Sequence, residues 1–116
     1  MSVTFYIVHN QRIVRTAPSL NLANVNAADL LRWLDLPYGE YQLAGEISPT
    51  ELAARCRRRL WDVARNWDPE LPERTIETPD LVPVTFFGRR AGFLREMTAE
   101  LLRVAESAGE GLVAWA

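Results

Sequence analysis

The chain contains no lysine; all 13 of its basic residues are arginine. Positive charge therefore comes as planar guanidinium forks that stack and bond in pairs, not as mobile ammonium points. Cysteine and histidine occur once each, as Cys56 and His9. A single cysteine excludes an internal disulfide, and one histidine with one distant cysteine cannot make up a zinc site. A hydrolytic nucleophile needs a base beside a serine or cysteine. The only imidazole, His9, opens a turn-like His9-Asn10-Gln11 stretch that suits a solvated or capping role. The G-x-S-x-G, H-E-x-x-H, G-x-x-x-x-G-K-[ST] and paired-cysteine patterns are all missing. No catalytic residue, metal ligand or cofactor is nominated. Carboxylate chemistry leaves little trace in one sequence, so a small enzyme stays open as a reading.

Long apolar runs are lacking too. No window approaches the roughly 20 apolar residues of a membrane span. The start, MSVTFYIVHN, shows neither the basic region nor the apolar core of a secretion signal. The expectation is a soluble, cytoplasmic protein with no membrane partner. At 116 residues, with an ordinary apolar share of 48%, it should form a single domain over 1–116. A net charge of −2 excludes a global basic field. The charge is uneven, however. Residues 1–67 hold eight arginines against six acids, and residues 68–116 hold five against nine.

The clearest local pattern is SPTELAARCRRRLWDVARNW, residues 48–67. Ser48 suits an N-cap, Pro49 the first helical position, and Glu51 completes an S-x-x-E capping box. Leu52, Cys56, Leu60, Val63 and Trp67 recur at helical spacing. Asp68-Pro69 stops the run, because a residue before proline avoids the α region. The spacing predicts a helix near Pro49 to Asn66, with Arg55, Arg57, Arg58, Arg59 and Arg65 on its other face. Those arginines form a solvated face or, alternatively, a phosphate contact.

Around this helix, Val3 to Val8 predicts a central strand, since both of its faces carry bulk, and Arg12 to Arg15 a short returning one. Asn26 caps a helix to Asp35, with Asp29 as reciprocal partner and Ala27, Leu30, Leu31 and Leu34 buried. Trp33 lies off that stripe, which leaves it free to be exposed. Asn21 and Asn24 suit a self-bonded turn before the cap. Pro37 to Gly45 is a loop whose Tyr38 and Tyr41 suit protein recognition. Asp68 to Pro83, with four prolines and five acids, predicts an irregular strap beside the arginine face. Val84 to Phe87 predicts a strand, followed by Gly88-Arg89-Arg90-Ala91-Gly92 and an amphipathic helix from Arg90 to Ala108. Leu112 to Trp115 predicts a last strand. A strand, glycine turn and helix N-terminus with two arginines can hold an anion. The fold class that follows is α+β: a small, mostly antiparallel sheet of about four strands with three helices on one face. Trp61 and Trp67 are expected at the edge of the core.

The pattern L-N-x-x-N-x-N-A-x-x-L-L (Leu20 to Leu31), then Tyr38-Gly39-Glu40, then a helix carrying C-R-R-R-L-W (Cys56 to Trp61), resembles a group of small uncharacterised bacterial proteins. The group has no assigned activity. The resemblance implies a self-contained domain and carries over no functional residue.

Three readings of function follow. The first, favoured because the others lack the residues they would display, is a non-enzymatic protein-binding module (an inhibitor, adaptor or regulator) using Trp33, Tyr38, Tyr41 or the acidic strap. The second is an accessory nucleic-acid binder using Arg55, Arg58 and Arg59, joined by Arg89 and Arg90. The third is a small-anion binder or enzyme at the Gly88–Gly92 turn. The expected partner is another protein, with nucleic acid as the alternative. Oligomeric state is left open.

Overall fold

The computed structural model describes residues 2–36, 44–62, 67–79 and 81–116. The elements among them are β1 (Ser2–His9), β2 (Arg12–Ile13), β3 (Leu20–Ala23), α1 (Asn24–Trp33), β4 (Gly45–Ile47), α2 (Pro49–Trp61), β5 (Arg74–Thr78), β6 (Leu81–Phe86), α3 (Phe93–Glu106) and β7 (Leu112–Trp115). The class is α+β: three helices and an antiparallel sheet of five strands, with a separate two-stranded hairpin.

β1 is the centre of the sheet, as its bulk on both faces predicts. One edge pairs with β3 and then β2, the other with β7, which in turn carries β4. Val3, Phe5 and Ile7 are buried under the helices, while Thr4, Tyr6 and Val8 stay half-exposed. The β1–β2 turn is made by Asn10 (φ 50°) and Gln11 (φ 63°), the positive φ values that a tight two-residue hairpin turn needs. Strand β2 stops at Ile13, short of the expected Arg15. Trp115 closes the sheet, with its ring 5.8 Å from that of Phe5 and lying flat against Gly45. A Cβ at Gly45 would sit 2.5 Å from the indole, so only glycine lets β4 approach.

Helix α2 begins as its sequence dictates. The Ser48 Oγ accepts from the Glu51 N–H at 3.3 Å, and Pro49 opens the first turn. Leu52, Ala53 and Cys56 are buried, largely against α3. The helix ends at Trp61; the expected continuation through Val63–Asn66 lies outside the described residues. Helix α3 buries Leu94, Leu101, Val104 and Ala105 as its periodicity predicts, and also Thr98, whose hydroxyl donates to the Leu94 carbonyl at 2.7 Å. Its ends, Phe93 and Glu106, fall inside the expected Arg90 to Ala108.

Two expectations are corrected. Helix α1 starts at Asn24, directly out of β3, with Ala23 at the cap and no side-chain cap bond. Asn26 does not cap it: it lies within the first turn, and its side-chain oxygen accepts from Arg89. Asn21 is no self-bonded turn residue either. It sits in β3 and its amide donates across the ladder to Ser2 Oγ (3.1 Å) and Thr4 Oγ1 (2.7 Å).

The second correction concerns Asp68 to Pro83 and the strand after it. Arg74–Thr78 and Leu81–Phe86 form a hairpin of their own, and the Val84 to Phe87 stretch joins this hairpin, not the main sheet. β-branched residues dominate both strands, which favours the pleated conformation. Pro83 brings no amide donor, which suits a strand whose outer edge is unpaired. The hairpin's substantial contacts are between its own two strands. At its base Leu71 and Arg89 exchange both backbone bonds (2.8 and 2.9 Å). Gly88, at φ 81°, makes this junction. Its missing Cβ would fall 2.4 Å from the Leu71 carbonyl oxygen, so both conformation and space demand glycine.

Candidate functional site

The arginines of α2 divide into two sets. Arg55 and Arg59 reach across to the C-terminus of α1, whose last carbonyls have no partner within the helix. Arg55 Nη1 donates to the carbonyls of Leu34 (3.2 Å) and Asp35 (2.6 Å), and Arg59 Nε to that of Trp33 (2.7 Å). Arg55 Nη2 also donates to Glu51, one turn back on α2, at 2.9 Å. α1 closes with Asp35 at φ 55°, the Leu36 N–H bonding the Leu31 carbonyl and the Asp35 N–H that of Arg32. That is a Schellman ending with aspartate at the position glycine usually takes. Two guanidinium groups thus complement the negative end of the α1 dipole. Arg57 and Arg58 make up the second set. Both are exposed, and no hydrogen bond or ion pair joins their side chains to another described residue.

Trp33 is not exposed. At 8% it belongs to the core, because the Arg59 guanidinium stacks on its ring at 4.0 Å from the centroid. α1 is therefore covered on a second side by α2, which the single apolar stripe of its sequence does not announce. Trp61 and Trp67, expected at the core edge, are 85% and 82% exposed. For Trp61 the reason is geometric. At 3.6 residues per turn it lies about 180° around α2 from Leu52. Trp67 follows after α2 has ended, so the helical spacing that linked it to Cys56 does not reach it. Phe87, which leaves the hairpin, is 80% exposed. Tyr38 and Tyr41 lie outside the described residues.

Each of these three aromatics stands at the end of an element or at a junction. The C-terminal part of α2 meets the N-terminal end of α3, where Arg59, Trp33, Leu94 and Arg89 line a common cleft. Trp61 ends α2, Trp67 adjoins Asp68 at the start of α3, and Phe87 adjoins the Gly88–Arg89 junction. Their exposure was partly legible: the angular position of Trp61 could have been read from the sequence. That of Phe87 could not, because it depends on the hairpin standing apart.

The Gly88–Gly92 turn brings its two arginines to structural partners. Arg89 is nearly buried, 7% exposed, and its Nη1 donates to Asp29 Oδ2 at 2.6 Å and Asn26 Oδ1 at 3.1 Å. Arg90 pairs with Glu96 and lies over the Phe93 ring. The position an anion would take at the start of α3 is filled by the chain itself. Asp68 Oδ2 accepts from the Arg95 N–H at 2.9 Å, and the Asp68 carbonyl from the Gly92 N–H at 2.9 Å. Asp68, the first acid of the expected strap, thus caps a helix whose own N-cap, Gly92, has no side chain to offer.

Reactive groups are few. Burial pushes the Cys56 thiol up to about 12, against a smaller opposing pull from Arg57, so it stays a protonated apolar filler at neutral pH. His9 lines an open cleft at the β1–β2 turn with Glu46 and Glu110. Among the described residues no group of three or more His, Cys, Asp or Glu side chains is gathered to hold a metal, and no helix is long and apolar enough to cross a membrane. Comparison with protein-family models, with curated proteins and with solved structures finds no match for this chain.

Proposed function

We propose that this protein is a cytoplasmic, non-enzymatic protein-binding module that makes contact through its exposed aromatics Trp61, Trp67 and Phe87. The supporting observation is their exposure, 80% or more each, on a chain that has a full core elsewhere. Aromatic residues in such a position gain most when a partner covers them, and they are enriched at interface cores together with arginine. The adjoining hairpin adds to this reading. Ile76 and Val82 are exposed on it, and a two-stranded ribbon is marginal alone in water. Arg55, Arg59 and Arg89 bond their own chain, which takes from the nucleic-acid reading three of the arginines it named.

Photo-crosslinking in the native cell tests the reading. A benzophenone side chain replacing Phe87 or Trp67 should give discrete protein adducts, and one replacing Glu106, exposed at the far end of α3, should not. Equal adduct patterns from all three positions, or none from any, would sink it.

A further inference from the structure

We infer that the exposed face of the last turn of α2, formed by Arg57, Arg58 and Trp61, docks an acidic segment of a partner protein, one in which carboxylates flank an apolar side chain. The inference rests on the protein-binding reading above and assigns the partner's chemistry.

Residues three and four apart are neighbours on a helix, so Arg57 and Arg58 flank Trp61 directly. The three residues are all exposed. Every other charged feature of α2 has a role within the molecule: Glu51 pairs with Arg55, and Arg55 and Arg59 close the end of α1. Arg57 and Arg58 bond no other described side chain. A favourable position near the helix C-terminus accounts for two arginines on the last turns, but not for the largest apolar side chain of the chain's repertoire standing between them in water. An apolar anchor bordered by two guanidinium forks is complementary to a segment with the opposite arrangement, an apolar side chain bordered by carboxylates, which a fork binds with two parallel hydrogen bonds.

Charge distribution selects a short acidic segment over a polyanion. The chain stands at −2 although α2 carries four arginines against one acid, a net of +3, so the rest of the molecule carries −5. A nucleic acid extending beyond the patch meets that negative remainder, whereas a peptide covering one helical turn does not. The patch steers an acidic segment inward, and the net negative charge of the remainder disfavours a longer polyanion.

The full chain serves as bait for a displayed random-peptide library. Selected peptides, with labelled duplex and single-stranded DNA beside them, are then titrated by fluorescence anisotropy at low and near-physiological salt. The expected result is enrichment of peptides that pair acids with an apolar residue. Their affinity should fall about tenfold or more in Arg57→Glu/Arg58→Glu and, separately, in Trp61→Ala, with the melting temperature of each variant showing that it is folded. Enrichment of peptides without acids, equal binding by the charge-reversed chain, failure to enrich any peptide, or DNA binding that displaces the peptides would each overturn it. Crosslinks from Phe87 and Trp67 that persist in the charge-reversed chain would overturn this inference while leaving the protein-binding reading intact. Absence of crosslinks from every position would remove that reading itself.

Discussion

Asp29→Ala breaks the contact that ties the hairpin junction to α1. In the native chain Arg89 is 7% exposed and donates to Asp29 Oδ2 at 2.6 Å. With Asp29 gone, its remaining side-chain acceptor among the described residues is Asn26 Oδ1 at 3.1 Å, and its Nε is already without one. Removing one member of a buried pair costs about 3–5 kcal/mol, because the other is left charged and out of water. Asp29 is itself 25% exposed, so solvent can approach from its side, and the lower end, about 3 kcal/mol, is expected. For a chain of this length that is a fall in melting temperature of roughly 12 °C. The Asp29–Arg32 bridge (3.5 Å) adds little, since Arg32 is mostly exposed. Arg89→Met alone should also destabilise, by leaving Asp29 with only its loose bridge to the exposed Arg32. The double variant Asp29→Leu/Arg89→Met should be more stable than Asp29→Ala, because an apolar pair leaves no unpaired charge. Urea titration and thermal circular dichroism measure all three. A loss under about 1 kcal/mol for Asp29→Ala, or a double variant whose loss equals the sum of the singles, would refute the buried-pair reasoning.

Three further outcomes follow from the same geometry. Asp35→Gly should stabilise by about 1 kcal/mol in urea titration, because it relieves a left-handed aspartate and removes a negative charge from the negative end of α1; the backbone carbonyl that Arg55 bonds is kept. Asp68→Ala should cost about 1–2 kcal/mol by opening the start of α3, and hydrogen exchange should accelerate at the Arg95 amide. Cys56 has a folded pKa raised from 9.0 to about 12, so the fold binds its proton more tightly than the unfolded chain does. Its contribution is complete below pH 9 and is lost at about 1.4 kcal/mol per pH unit as pH climbs from there towards 12. Denaturant midpoints taken along that range should fall less steeply for Cys56→Ala, and a thiol reagent at neutral pH should label the native protein only as fast as it opens.

Some of the architecture could be read in advance because its causes are local. Ser48, Pro49 and Glu51 specify the start of α2 within four residues of chain, and the alternation Val3-Phe5-Ile7 specifies which side of β1 is covered. α3 shows the same, with Leu94, Leu101, Val104 and Ala105 on one stripe. β3 and β4 carry no strand signature of their own, because a four-residue LNLA and a three-residue GEI are too short to establish a period of two. Their conformation depends on edges offered by β1 and β7, which lie far along the sequence. The hairpin was hidden by its prolines and acids, which have turn propensity, while its pairing is a non-local choice.

The candidate surface divides in the same way. From its own residues the chain determined three amphipathic helices, one sided sheet, and a basic helix of arginines without lysine. Helical geometry alone already placed Trp61 opposite Leu52. Only the tertiary structure decided which arginines are structural. Arg55 and Arg59 became caps because the C-terminus of α1, some 20 residues earlier in the chain, comes to rest beside α2 with its carbonyls unsatisfied. Arg89 became a buried tie because Gly88 turns the chain against Leu71 and so carries Arg89 to Asp29. A sequence shows that a guanidinium is present; whether it faces water or an orphaned acceptor depends on which distant backbone groups the fold brings within 3 Å of it.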